Sequence, residues 1–125
     1  MAYDIEGQVD VLLVEDDPLI LETLSEALSD AGLDTVRRAT AESALELLGE
    51  DMPRVVVTDI NLGAGMDGLE FGRQVRQRFP ELPFVYISGR YAEVLGLESQ
   101  DRFLPKPFSA SRLLRMIADL SKPVE

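Results

Sequence analysis

The chain has 125 residues, 23 acidic against 12 basic side chains, a net charge of −11, and neither cysteine nor histidine. This composition excludes disulfides, thiolate chemistry, histidine general bases and the usual zinc sites, and it argues against a nucleic-acid-binding surface. Any metal must be held by oxygen, which points to Mg²⁺, Mn²⁺ or Ca²⁺.

The length suits one domain that buries roughly two-thirds of its unfolded surface. The apolar runs fall well short of the ~20 residues that span a bilayer. Residues 1–8 read as a polar arm lacking the basic and apolar regions of a signal peptide. A soluble cytoplasmic protein is therefore expected, with its domain over residues 9–121 and a short tail over 122–125.

Residues 9–14, Val-Asp-Val-Leu-Leu-Val, form the first expected strand, which runs into Glu15, Asp16 and Asp17. Asp17 suits an N-cap and Pro18 a first helical position. Leu19, Ile20, Leu24, Ala27, Leu28 and Ala31 recur at helical spacing until Gly32. Residues 33–38 read as a second, less apolar edge strand. Thr40 caps a helix with Ala41, Ala44, Leu45, Leu47 and Leu48 that stops at Gly49.

After Pro53, the run Val55-Val56-Val57-Thr58 is short and apolar, as in strands buried on both faces of a parallel sheet, and it ends on Asp59. A glycine-rich loop follows. Asp67 then suits an N-cap, with Glu70 three residues on in a capping-box pattern. Leu69, Phe71, Val75 and Phe79 supply the apolar side of that helix, and Pro80 ends it. Residues 83–87 form a fourth strand leading to Ser88 and Gly89. Residues 90–100 leave room for a short or irregular fourth helix. Residues 102–105 make a short fifth strand before Lys106, and Ser109 caps a last helix carrying Leu113, Leu114, Ile117, Ala118 and Leu120.

Five strand–helix units in strict alternation imply an α/β fold: a parallel sheet with helices on both faces and right-handed crossovers. In such a sheet the carboxyl ends of all strands share one edge, the edge where open α/β folds bind ligands. Glu15-Asp16-Asp17, Asp59, Ser88 and Lys106 all fall at those ends.

Carboxylates brought within ~4–6 Å repel and raise one another's pKa, a penalty that a hard divalent cation removes. Mg²⁺ takes one or two carboxylates and shares its remaining positions with water and phosphate oxygens. Lys106 adds a compact positive charge suited to phosphate, and Ser88 a hydroxyl. Together they make a phosphoryl site in which Asp59, ionised at neutral pH, attacks phosphorus without a general base. Taken singly, each residue also has a plainer reading. The three acids suit a first helical turn, Ser88 suits a turn, and Lys106 suits a solvated surface. Their joint placement at the ends of alternating strands favours the site.

In these motifs, Val11-Leu12-Leu13-Val14-Glu15-Asp16-Asp17, Val56-Val57-Thr58-Asp59-Ile60-Asn61-Leu62, Met66-Asp67-Gly68-Leu69-Glu70 and Lys106-Pro107-Phe108, the chain resembles the CheY-like receiver domains of bacterial response regulators over about residues 9–121. The resemblance implies a three-layer, flavodoxin-like (βα)5 fold with strand order 2-1-3-4-5, the order the general rule already gives for CheY. It implies a two-component phosphorelay role. Asp59 would accept a phosphoryl group from a phosphohistidine on a sensor histidine kinase or histidine phosphotransfer protein. Mg²⁺ or Mn²⁺ would be bound by Glu15, Asp16, Asp59 and the backbone carbonyl of Asn61, with Asp17 a further candidate just outside the matched acidic pair. Ser88 and Lys106 match the hydroxyl and lysine of the motif, and a cis Lys106–Pro107 bond is implied. Ser88 and Phe103 would form the switch, Phe103 changing rotamer to bias the surface of the fourth helix, fifth strand and fifth helix toward a downstream protein target. Asn61, Gly89 and Arg90 would tune phosphate lifetime.

The chain departs from the family pattern in three places. The loop after Asp59 carries Gly63-Ala64-Gly65 in place of a proline and is one residue longer than usual. The segment between Ser88 and Lys106 is about four residues short, and Gly89 replaces a small alanine, which leaves the pocket open. Such departures resemble, more weakly, stand-alone receivers of α-proteobacterial type. A stand-alone receiver that assists its own phosphorylation and dephosphorylation, without being a classical enzyme, is the first reading. A phosphorylation-independent pseudo-receiver, and a receiver excised from a hybrid kinase or larger regulator, are the alternatives. A hydrolase of the aspartyl-phosphate type would need a cap domain for which the chain has no room.

Overall fold

The five expected strands form a single parallel sheet of β1 (Val9–Val14), β2 (Thr35–Arg38), β3 (Pro53–Asp59), β4 (Phe84–Ser88) and β5 (Arg102–Pro105), in the order β2-β1-β3-β4-β5. Four helices accompany it: α1 (Pro18–Asp30), α2 (Ala41–Leu47), α3 (Gly68–Arg78) and α4 (Ala110–Leu120). This computed structural model describes residues 9–49, 52–89 and 97–120. The arm over 1–8, the tail over 122–125, Arg90 and most of the short helix expected over 90–100 lie outside the described residues. Residues 97–100 are irregular and end in a turn. The strand order is the expected one.

β1, β3 and β4 are largely apolar because both faces of the sheet are covered there, whereas the edge strand β2 carries Arg37 and Arg38. Period-two alternation sends Leu12, Val14, Val56, Phe84 and Tyr86 under α2 and α3, where they meet Ala41, Ala44, Phe71 and Val75. The intervening Val11, Leu13, Val55, Val57, Val85, Ile87 and Leu104 lie under α1 and α4, against Leu24, Leu28, Leu113 and Ile117. Each fully buried aliphatic side chain stabilises by roughly 1.5–3 kcal/mol, whereas an exposed ion pair contributes about 0–1 kcal/mol. Burial therefore decides where the strand ends converge, and the surface charges follow.

Element boundaries differ from the sequence reading in ways that local hydrogen bonding explains. β2 begins at Thr35 rather than at 33, because Leu33 closes α1: its N–H donates to the Leu28 carbonyl at 3.1 Å, after Gly32 turns the chain at φ 88°. β3 begins at Pro53, whose missing N–H is tolerated at the first position of a strand. Asp67 does cap α3, accepting from the Glu70 N–H at 2.8 Å. The reciprocal half of the capping box gives way to the Glu70 side chain's bonds with Arg73 at 2.7 Å and Gln74 at 3.2 Å. Thr40 and Ser109 cap α2 and α4 as expected, accepting from the N–H groups of Ser43 and Arg112.

Candidate functional site

The sheet register lines up Val14 with Thr58, Asp59 with Ile87, and Ser88 with Pro105. Glu15, Asp59, Ser88 and Lys106 consequently sit along one carboxyl edge. Glu15, Asp59 and Ser88 are each only 3% exposed, and a buried carboxylate is costly unless it is paired and hydrogen-bonded. Asp59 meets that condition through both oxygens: Oδ1 accepts the Asn61 N–H at 2.9 Å, and Oδ2 accepts Lys106 Nζ at 2.8 Å. Partial burial works to lower the Lys106 pKa. The hydrogen bond and charge of Asp59, joined by Glu15 and Asp16, outweigh it and hold the ammonium above its ordinary value. The Lys106 backbone N–H donates to the Ser88 carbonyl at 3.0 Å, and the Lys106–Pro107 bond is cis, as expected.

Glu15 is the strained member of the set. Burial pushes its carboxyl up to about 7, against the pull of the Asp17 N–H, which donates to Oε2 at 3.0 Å. The charge of Asp59 and a side-chain hydrogen bond with it push the same way, and Lys106 pulls weakly back. Two buried carboxyls thus face each other, one of them paired with the Lys106 ammonium, and the side-chain ligands they offer a metal are all oxygen. Asp16 is exposed at the rim of this pair. Among the described residues no three acidic side chains close into a metal cage. A set this open suits a hard ion that keeps part of its water shell. Asp17 is turned to other work, its Oδ1 accepting from the N–H groups of Leu19 at 2.9 Å and Ile20 at 3.2 Å as the N-cap of α1.

The remaining candidates surround this edge. Asn61 is exposed, its N–H committed to Asp59. Among the described residues, a Cβ at Gly89 would meet nothing within 4 Å. Phe103 is half-buried against the cluster beneath α2 and α3. Arg90 lies outside the described residues.

Gly68, present in a matched motif, has a packing reason that the motif does not state, and two long-range contacts carry no recognisable signal in the sequence. Gly68 lies so close to the Asp59 carbonyl and the Ile60 Cα that a side chain there would strike backbone. Its N–H donates to the Ile60 carbonyl at 2.8 Å, which closes the loop after Asp59. Glu42, on α2, accepts the Met66 N–H of that same loop at 2.9 Å. Arg76 of α3 forms a bidentate pair with Asp101, both contacts 2.8 Å, and the Asp101 side chain is only 1% exposed. Glu42–Met66 and Arg76–Asp101 join positions 24 and 25 apart in sequence, beyond the reach of local pattern.

The family model for the response regulator receiver domain matches residues 11–118. The chain belongs to the response regulator receiver family. It is 36% identical over 112 residues to the response regulator protein FleR of Pseudomonas aeruginosa, covering 86% of this chain and 24% of FleR. It is 31% identical over 125 residues to the sensor kinase CckA of Brucella abortus, covering 95% of this chain and 13% of CckA. The chain thus spans a quarter or less of each of these two curated relatives. Among solved structures, a response regulator receiver protein from Sinorhizobium medicae superposes with a TM-score of 0.83 at 29% identity, covering 91% of this chain and 94% of that one. The chain is a receiver domain of a two-component system with the flavodoxin-like architecture. Among the described residues no helix is long and apolar enough to cross a membrane.

Proposed function

We propose that this receiver is a working phosphoacceptor, in which Asp59 takes a phosphoryl group from a phosphohistidine on a sensor histidine kinase or phosphotransfer protein in the cytoplasm. The observation that carries this reading is the pairing of a buried Asp59 with Lys106 at 2.8 Å, beside the buried Glu15 and Ser88. An Asp59 carboxylate oxygen attacks phosphorus. The new O–P bond forms as the P–N bond to the imidazole breaks, and the imidazole leaves with the bond's electron pair. Lys106, already beside the carboxylate, neutralises charge that grows on the phosphoryl oxygens, and Ser88 offers a hydroxyl donor to one of them. Glu15, Asp16, Asp59 and the Asn61 carbonyl would hold Mg²⁺ or Mn²⁺, which supplies positive charge both to the crowded carboxylates and to the phosphoryl oxygens.

The phosphorylated site carries up to about −2 charge and new acceptor oxygens. Ser88 and Lys106 are drawn toward them, and Phe103, half-buried on β5 two residues after Asp101, passes that change to the surface. Asn61, Gly89 and Arg90 set how long the phosphoryl group lasts. The output is either a downstream protein that reads the switched surface or onward relay of the phosphoryl group.

Two settings have support. The Sinorhizobium medicae receiver protein, nearly all of which the chain covers, favours a stand-alone unit over about residues 9–121. FleR and CckA, of which the chain covers 24% and 13%, favour a receiver unit within a larger regulator or hybrid kinase. The chemistry is the same in both. Incubation with acetyl phosphate and Mg²⁺, followed by intact mass, should add one phosphoryl group to the wild-type chain and none to Asp59→Asn. No gain by the wild type with acetyl phosphate or any phosphohistidine donor overturns the reading and leaves a phosphorylation-independent interaction module.

A further inference from the structure

We propose that Glu42 is a positioning residue for the phosphoryl site, an outside anchor for the loop that carries Asn61. This rests on the phosphoacceptor reading above. The loop is pinned at its start by Asp59 Oδ1, which accepts the Asn61 N–H at 2.9 Å, and at its end by Gly68. Leu62 is buried in the core beneath α2 and α3, and Met66 packs against the same cluster. Between them run Gly63, Ala64 and Gly65, with the two glycines at φ 74° and 90°. A segment of this composition has much backbone freedom to lose on ordering.

Two carboxylates from separate elements press on that segment. A Cβ at Gly63 would lie 2.9 Å from Asp16 Oδ2, and one at Gly65 would lie 2.9 Å from Glu42 Oε2. The same Glu42 Oε2 accepts the Met66 N–H at 2.9 Å, a charge-assisted bond across 24 residues. The alternative for an acid in the first turn of α2 is simple complementarity to the helix dipole. That account predicts no contact with the loop, whereas here one oxygen both receives the Met66 N–H and fits the space a side chain at 65 would occupy. The loop that departs from the family pattern is thus tied at Met66 to an acid on a neighbouring helix.

An unanchored loop presents the Asn61 carbonyl for only part of the time, and apparent cation affinity falls by that fraction. Loss of one charge-assisted bond at an exposed position should weaken Mg²⁺ binding about five-fold. The test is a Mg²⁺ titration of backbone amide resonances on the full chain for wild type, Glu42→Gln, Glu42→Ala and Gly65→Ala, with amide exchange at Met66 and thermal melts alongside. Gln retains an acceptor and should stay near wild type. Ala at 42 should raise the dissociation constant about five-fold and speed Met66 exchange by a similar factor, with the effect on phosphorylation seen in half-saturating Mg²⁺ rather than in the rate at saturation. Gly65→Ala, which pushes on the same contact from the loop side, should act in the same direction.

A wild type that shows a saturable Mg²⁺ response, with Glu42→Ala matching it in affinity and Met66 exchange, overturns the role of Glu42 alone. Glu42→Gln as weak as Glu42→Ala overturns the hydrogen-bond account. A wild type with no saturable response overturns both this role and the phosphoacceptor reading. Equal losses in melting temperature and affinity that Gln does not rescue would reduce Glu42 to a merely structural residue.

Discussion

Replacing Glu15 by Gln should make the metal-free chain more stable at neutral pH, although it removes a candidate metal ligand. In the folded chain the Glu15 carboxyl is raised from 4.5 to about 7, first by burial and then by Asp59. Its folded-state pKa lies above its unfolded one. The folded chain therefore holds a proton that the unfolded chain has already released, and stability falls as pH rises through the window from about 4.5 to about 7. At about 1.4 kcal/mol per pH unit, the full cost of ionising this buried group is about 3 kcal/mol, most of which falls between pH 5 and 8. Gln cannot ionise, keeps nearly the same volume and still accepts the Asp17 N–H. Urea denaturation of both proteins in EDTA at pH 5 and pH 8 reads the titration of Glu15 together with its coupling to Asp59, because the other titrating groups are common to the two. The wild type should lose about 2 to 3 kcal/mol more than Glu15→Gln over that interval. Added Mg²⁺ should restore the wild type at pH 8 by binding the folded state alone, with little effect on the variant. Parallel stability profiles for the two proteins would refute the claim that Glu15 is held above its ordinary range.

Arg76→Ala should cost about 3 kcal/mol in urea denaturation, because it leaves the Asp101 carboxylate buried and unpaired. Asp101→Asn in the same chain should recover part of that loss, and a cost below about 1 kcal/mol for the single variant would mark the pair as an ordinary surface bridge. Gly72→Ala should cost about 2 kcal/mol, since a Cβ there would fall on the Tyr86 hydroxyl. Tyr86→Phe removes that oxygen, so the double variant should be about 1 kcal/mol more stable than the sum of the single effects. Strict additivity of the two melts would place the strain elsewhere.

The elements were legible wherever one local rule dominated. Val55, Val56 and Val57 read as a doubly buried strand because both faces of the sheet are covered, and Asp17, Thr40 and Ser109 read as caps because their chemistry spans three residues at most. The site was legible for a related reason: parallel alternation sends Glu15, Asp59, Ser88 and Lys106 to one edge whatever the packing details. Boundaries slipped where a residue had two uses. Leu33 is as good a strand residue as it is a helix closer, and only the turn at Gly32 decides between them. Glu70 met the spacing of a capping box but found Arg73 and Gln74 nearer to hand. Glu42–Met66 and Arg76–Asp101 were illegible because each joins parts of the chain brought together only by the completed fold. An acid on α2 and an arginine on α3 look, in the sequence, like any solvated helix charge.

The positions of Asp59 and Lys106 and that of the loop after Asp59 rest on energies of different size. Asp59 ends a strand whose Val55, Val56 and Val57 are fully buried, which at roughly 1.5–3 kcal/mol each far exceeds what any one surface contact contributes. Lys106 follows β5, fixed through Leu104 and the bond to the Ser88 carbonyl. A longer glycine-containing loop can therefore be accommodated after Asp59 without moving the carboxylate or the ammonium beside it. In the role proposed for Asn61, such a loop would change the time its carbonyl spends facing the acids, because that depends on contacts of only about 1 kcal/mol, such as Glu42 with Met66. The pairing of Asp59 with Lys106 should thus withstand sequence change in the loop, while the proposed cation affinity should respond to single substitutions at 42, 63 and 65.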